Sequence, residues 1–155
     1  AASDVYKRQI QCTINMISLC KKLKYKYGLN EVREGRMCMD LANVKKLLQA
    51  KVLTGSELLH RQIDSCCGSD MMSDVLAFTK RNTLLCTGLT NMQVVRTADM
   101  TELSALVFVR GKIPCEEIVE AAAENGLPML STDYTLFETC GILYEAGVRG
   151  CSKKE

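Results

Sequence analysis

The chain has 155 residues, 47% hydrophobic and 25% charged, with 20 Lys/Arg against 18 Asp/Glu for a net charge of +2. That balance suits one globular domain with a real core. No apolar run reaches the roughly 18 residues that would cross a bilayer, so no membrane span is expected and a cytoplasmic setting is inferred.

Charge is uneven along the chain. Residues 1–39 carry eight Lys/Arg and three Asp/Glu, and residues 40–155 carry twelve and fifteen. Lys21, Lys22, Lys24 and Lys26 alternate with Leu23, Tyr25 and Tyr27. Such interleaving can touch nucleic acid, but a solvated tail is the preferred reading and no nucleic-acid partner is expected. The opening Ala1–Gln9 resembles translated adapter sequence. On that reading the native chain starts near Met39, residues 1–38 are a non-native or disordered extension, residues 39–150 are the domain and 151–155 a tail.

From Met39 the elements follow in order. Asp40 is a helix cap with Leu41, Val44, Leu47 and Leu48 on one face. Lys51–Leu53 reads as a strand ended by Thr54-Gly55, and His60–Ser65 as a second strand with Ile63 inward. Ser69 or Asp70 caps a helix carrying Met72, Val75, Leu76 and Thr79 at helical spacing. Thr83–Cys86, Ser104–Val109 and Pro128–Ser131 are apolar on both faces, the mark of parallel strands covered by helices on each side. Between the first two, Asn91–Leu103 reads as a helix begun by Asn91, although Val94-Val95 suits extended chain equally. Pro114 suits the first position of the next helix, where Glu116 and Glu117 complement the dipole and Gly126 is the left-handed stop. Thr132 or Asp133 caps the last helix, with Leu136, Phe137, Cys140, Leu143 and Tyr144 as its buried stripe and Gly147 at its end. The alternation gives an α/β fold, a layered single domain with a mainly parallel sheet flanked by helices.

Catalytic chemistry is not visible. There is no G-x-x-x-x-G-K-[ST] loop and no G-x-G-x-x-G. The single histidine, His60, has no evident partner for proton transfer and reads as a surface or cap residue. Nine cysteines include no C-x-x-C pair, so zinc is not indicated and reduced thiols used as small core residues are expected. The vicinal Cys66-Cys67 pair reads as a strand end with one side chain on each face, in preference to a thiol switch. No cofactor or metal is expected.

One set of residues stands out by position. In parallel α/β sheets, ligands sit beyond the carboxyl ends of the strands. Thr87, Gly88, Thr90 and Asn91, then Arg110, Gly111 and Lys112, then Ser131, Thr132 and Asp133 follow three such ends. Arg96 or Arg110 would contact a phosphate-bearing ligand there. Ordinary turns and caps use the same residue types, so that reading stays open.

The words Ser73–Phe78, Leu85–Ala98, Leu106–Pro114 and Gly126–Asp133, in this order, make the chain similar to DRTGG domains over about Met39–Gly150. The literal string D-R-T-G-G is absent, and Arg96-Thr97-Ala98-Asp99 is the nearest wording. Val52–Ile63 also looks like the start of the HPr kinase N-terminal domain, a related fold. The resemblance implies an α/β regulatory module with no agreed catalytic residues, of the kind found beside CBS domains in regulated pyrophosphatases and beside phosphate acetyltransferases. The expected function is therefore non-catalytic: a regulatory or protein-interaction module that self-associates as a homodimer or binds a metabolic enzyme. The alternative is a sensor of a nucleotide or other phosphate-bearing anion at the carboxyl edge of the sheet.

Overall fold

The computed structural model describes residues 32–33, 36–37 and 39–151. Of the expected N-terminal extension it describes only an antiparallel pair, β1 (Val32–Arg33) with β2 (Arg36–Met37). The remainder of residues 1–38, and residues 152–155, lie outside the described residues.

Six strands make the central sheet: β4 (Lys51–Thr54), β6 (Ser65–Gly68), β7 (Thr83–Thr87), β8 (Ala105–Phe108), β9 (Met129–Ser131) and β10 (Arg149–Gly150). Their order is β10-β6-β7-β8-β9-β4. All neighbours are parallel except β4 and β9, which run antiparallel with Lys51 opposite Ser131. Every residue of β7, β8 and β9 is buried, as doubly covered strands must be.

The expected strand His60–Ser65 is divided in two. β5 (Gln62–Ile63) pairs antiparallel with β3 (Met39–Asp40), which buries Met39 and Ile63 together. The chain then bends at Asp64, whose N–H donates to the Asn82 carbonyl at 2.9 Å, and enters β6. Ile63 and Ser65 thus answer to different ladders, which a single run of pattern cannot show.

Helices α1 (Leu41–Leu47) and α5 (Leu136–Glu145) cover one face of the sheet, packing Leu41, Val44 and Leu143 on Leu84, Val107 and Leu130. Helices α2 (Met72–Phe78), α3 (Met92–Met100) and α4 (Glu116–Glu124) cover the other, packing Val75, Val94, Val95, Ile118 and Ala122 on Leu85, Leu106 and Phe108. Asp40 caps α1 by accepting from Asn43 N–H at 2.8 Å, and Asn91 caps α3 by accepting from Val94 N–H at 3.3 Å. Helix therefore prevails over extended chain at Val94-Val95.

Three expected helix starts move. α2 begins after Met71, with no side-chain cap from Ser69 or Asp70. Pro114 lies one residue before the α4 cap, Cys115. α5 begins after Thr135, not Thr132 or Asp133, because Thr135 and Glu138 form a reciprocal capping box. In the α5 stripe, Leu143 is buried, whereas Phe137 is 88% and Tyr144 60% exposed. Gly126 (φ 60°) and Gly147 (φ 103°) take the left-handed conformation that the two helix stops require.

Candidate functional site at the strand-end edge

The parallel strands bring four turns to one edge. Thr87 ends β7 and Gly88 follows it. Past β6, Asp70 reaches across, and its Oδ1 accepts from the Thr87 hydroxyl at 2.9 Å and from the Gly88 N–H at 2.7 Å. From the turn after β8, Lys112 Nζ donates to the Gly88 carbonyl at 2.6 Å. Both polar groups of the Gly88 peptide are thus held by side chains from the neighbouring turns.

Gly88 also leaves room for an arginine. A Cβ there would collide with the Arg110 guanidinium and lie 3.4 Å from Asp70 Oδ2. Arg110 is exposed and takes φ 60°, an uncommon conformation for a residue with a side chain. Its backbone is pinned there: Arg110 N–H donates to the Tyr134 carbonyl and Gly111 N–H to the Thr132 carbonyl, both at 2.8 Å. The Arg110 charge reaches Asp70, yet no hydrogen bond among the described residues is drawn to its guanidinium. A planar five-donor fork is left facing solvent beside a glycine.

Burial raises the Asp70 pKa. The Gly88 N–H, the Thr87 hydroxyl and the positive charges of Arg110 and Lys112 outweigh it, so the carboxyl lies below its ordinary value. Asp133 adds a carboxylate on the Gly111 side, its Oδ1 within 2.9 Å of where a Gly111 Cβ would stand.

The remaining expected residues divide. Ser131 Oγ donates to the Lys112 carbonyl at 2.8 Å and Thr132 Oγ1 to the Leu48 carbonyl at 2.7 Å, both supporting the edge from within. Thr90 lies half-buried in the next turn, Asn91 is spent as the α3 cap, and Arg96 is exposed on α3. None of these three is brought to the Arg110 guanidinium. The expectation that free N–H groups at this edge face an anion needs correction. Those of Gly88, Arg110 and Gly111 are already bonded within the fold. Sequence reasoning missed Asp70, read there as a helix cap; the signal that places it is its position just past the end of β6.

Other candidate chemistry disperses. His60 is exposed, its Nδ1 3.0 Å from the Glu57 carbonyl oxygen. Cys66 and Cys67 point to opposite faces, as alternation requires. The Cys66 and Cys86 sulfurs lie 3.6 Å apart near Cys140, and the six described cysteines are free thiols. Among the described residues no group of three His, Cys, Asp or Glu is placed to hold a metal ion. No helix of the described residues is long and apolar enough to cross a membrane.

Comparison with known proteins gives matches of two kinds. The family model of the DRTGG domain matches residues 43–146. Among solved structures, the chain is similar to the CBS and DRTGG domains of the regulatory region of Clostridium perfringens pyrophosphatase, complexed with the activator diadenosine tetraphosphate. The TM-score is 0.59 at 17% identity, over 75% of this chain and 51% of that one. This chain therefore spans about half the length of that structure, and at this identity the likeness is one of fold. A search of curated protein sequences finds no match.

Proposed function

The chain belongs to the DRTGG domain family, and we propose on that premise that it is a non-catalytic regulatory module that senses an anionic group through Arg110 at the strand-end edge. The observation that carries this reading is the Arg110 guanidinium, lodged over Gly88 on a left-handed backbone with no hydrogen-bond partner among the described residues. Strained non-glycine backbone concentrates where function requires a side chain in one place. A guanidinium fork suits a phosphate or carboxylate, which it meets with two parallel hydrogen bonds. The solved neighbour lends support, being a regulatory region bound to a polyphosphate nucleotide. By the same token a metabolic enzyme in the cytoplasm is the partner this module would report to.

Calorimetric titration with a panel of nucleotides, followed by NMR shift mapping, tests the reading. Arg110→Ala should weaken binding by about 1.5–3 kcal/mol, the worth of a hydrogen bond to a charged group. It should leave folding nearly intact, since an exposed arginine adds little stability. Equal affinity in wild type and variant, or shifts clustered away from Gly88 and Arg110, would remove the site.

A second reading, self-association, is favoured by Phe137, which stands 88% exposed on α5 with Tyr144 two turns further on. Sedimentation equilibrium decides it: a monomer at all concentrations would sink it, and a dimer abolished by Phe137→Glu would support it.

A further inference from the structure

The cradle made by the Thr87 hydroxyl and the Gly88 N–H is what a phosphate oxygen would seek at this edge: two donors converging on one point. It is already filled. Asp70 Oδ1 takes both donors, at 2.9 and 2.7 Å, while its Oδ2 lies on the Arg110 side of Gly88. The carboxylate that fills it is exposed and sits in the short turn between β6 and α2. It does not cap the helix that follows. Rotation of one side chain would vacate the cradle without moving a strand.

We propose that Asp70 is a specificity-determining residue, a built-in occupant of half of the anion site that admits only ligands able to replace its charge. This rests on the anion-sensing reading of the same edge. A ligand with one anionic group can use the Arg110 fork but gains nothing from the cradle, because Asp70 holds it and repels a second anion. A ligand with two linked anionic groups puts one on Arg110 and the other in place of the Asp70 carboxylate. The Thr87 and Gly88 donors then exchange one oxyanion for another and no N–H is left bare. Lys112, held on the Gly88 carbonyl by its own 2.6 Å bond, stays beside the incoming charge in either state. The edge is thereby tuned to a diphosphate or longer phosphate chain, and against single phosphates and carboxylates.

Inorganic phosphate and tripolyphosphate, titrated into the full chain and three variants, test this. Wild type should bind tripolyphosphate at least about tenfold more tightly than phosphate, and Arg110→Ala should weaken both by about tenfold or more. Asp70→Ala, which opens the cradle, should narrow that preference by tightening phosphate several-fold. Asp70→Asn removes the charge but keeps an acceptor for Gly88, so it should fold as wild type and show the same trend if the alanine variant is unstable. The Gly88 amide resonance is the second readout, and it should move when tripolyphosphate binds wild type. If wild type binds through Arg110 while the Gly88 amide stays still, or the Asp70 variants keep the full preference, the proposal fails and anion sensing stands. If only the Asp70 variants bind, the occupant reading stands and wild-type sensing falls. If no variant binds either probe, both fall.

Discussion

The Thr132 hydroxyl donates to the Leu48 carbonyl at 2.7 Å, joining the turn after β9 to the end of α1, 84 residues earlier in the chain. Thr132 is 2% exposed. Thr132→Val keeps the shape and removes the donor, leaving a carbonyl at the helix terminus unsatisfied. The expected loss is about 1–3 kcal/mol. Urea unfolding checks it, and an unchanged midpoint would mean that water or a shifted backbone replaces the bond.

Acid should weaken the strand-end edge. The Asp70 pKa in the folded chain lies below its ordinary value, because the Gly88, Thr87, Arg110 and Lys112 contacts outweigh the opposing effect of burial. A carboxyl depressed on folding contributes stability above its unfolded pKa, about 3.9, and loses it as pH falls through the folded value. Wild type should therefore lose stability below about pH 4 more steeply than Asp70→Asn. Thermal midpoints taken across pH 2.5–6 provide the comparison, as roughly the window over which such a carboxyl titrates. Parallel curves would show that the contacts carry no net preference for the charged form.

Alkali acts on the apolar layer between the sheet and helices α2, α3 and α4. Burial pushes the Cys67 thiol up to about 12, and the Cys151 thiol beside it adds to the shift. A group raised on folding contributes stability that is complete below its unfolded pKa and declines as pH rises toward the folded value. The loss from Cys67 should begin near pH 8.5, where a free thiol ionises. Urea midpoints under reducing conditions should fall between about pH 8 and 10, and less so in Cys67→Ala. An identical decline in the variant would assign it to other groups, of which the half-buried Cys66 and the buried Cys86 thiols, also raised, are the first candidates.

The sheet was legible where its strands are apolar on both faces. Thr83–Cys86, Ser104–Val109 and Pro128–Ser131 lie within a residue or two of β7, β8 and β9. β6 was legible only at its end, where Cys66-Cys67 was read with one side chain on each face; its start was run together with β5, because Ser65-Cys66-Cys67-Gly68 is neither strongly apolar nor β-branched and is extended by its neighbours β7 and β10. Asp70 stayed hidden because, two residues past that end, it reads locally as one more helix cap. The α5 cap was misplaced for a related reason. Thr132, Asp133 and Thr135 are all good caps, and the tertiary bond of Thr132 to Leu48 decides among them. Periodicity found the α5 stripe but not its facing, since Phe137 and Tyr144 share a side that the sheet leaves uncovered. At the edge, position after a strand end located Gly88, Arg110 and Lys112; it could not say which N–H groups the fold had already used.

The antiparallel strand β4 has a consequence for the order of assembly. It precedes every other strand of the central sheet in the chain, yet its partner there is β9, with Lys51 opposite Ser131. A ribosome delivers the chain at about 5–20 residues per second, so β4 leaves it several seconds before β9 exists. During that interval β4 has no ladder to join, and Val52 and Leu53 lack the packing they find in the finished fold. Closing a contact over so long a loop slows folding relative to local pairings. The parallel trio β6, β7 and β8 is linked by successive short crossovers, whereas β4 must wait for β9.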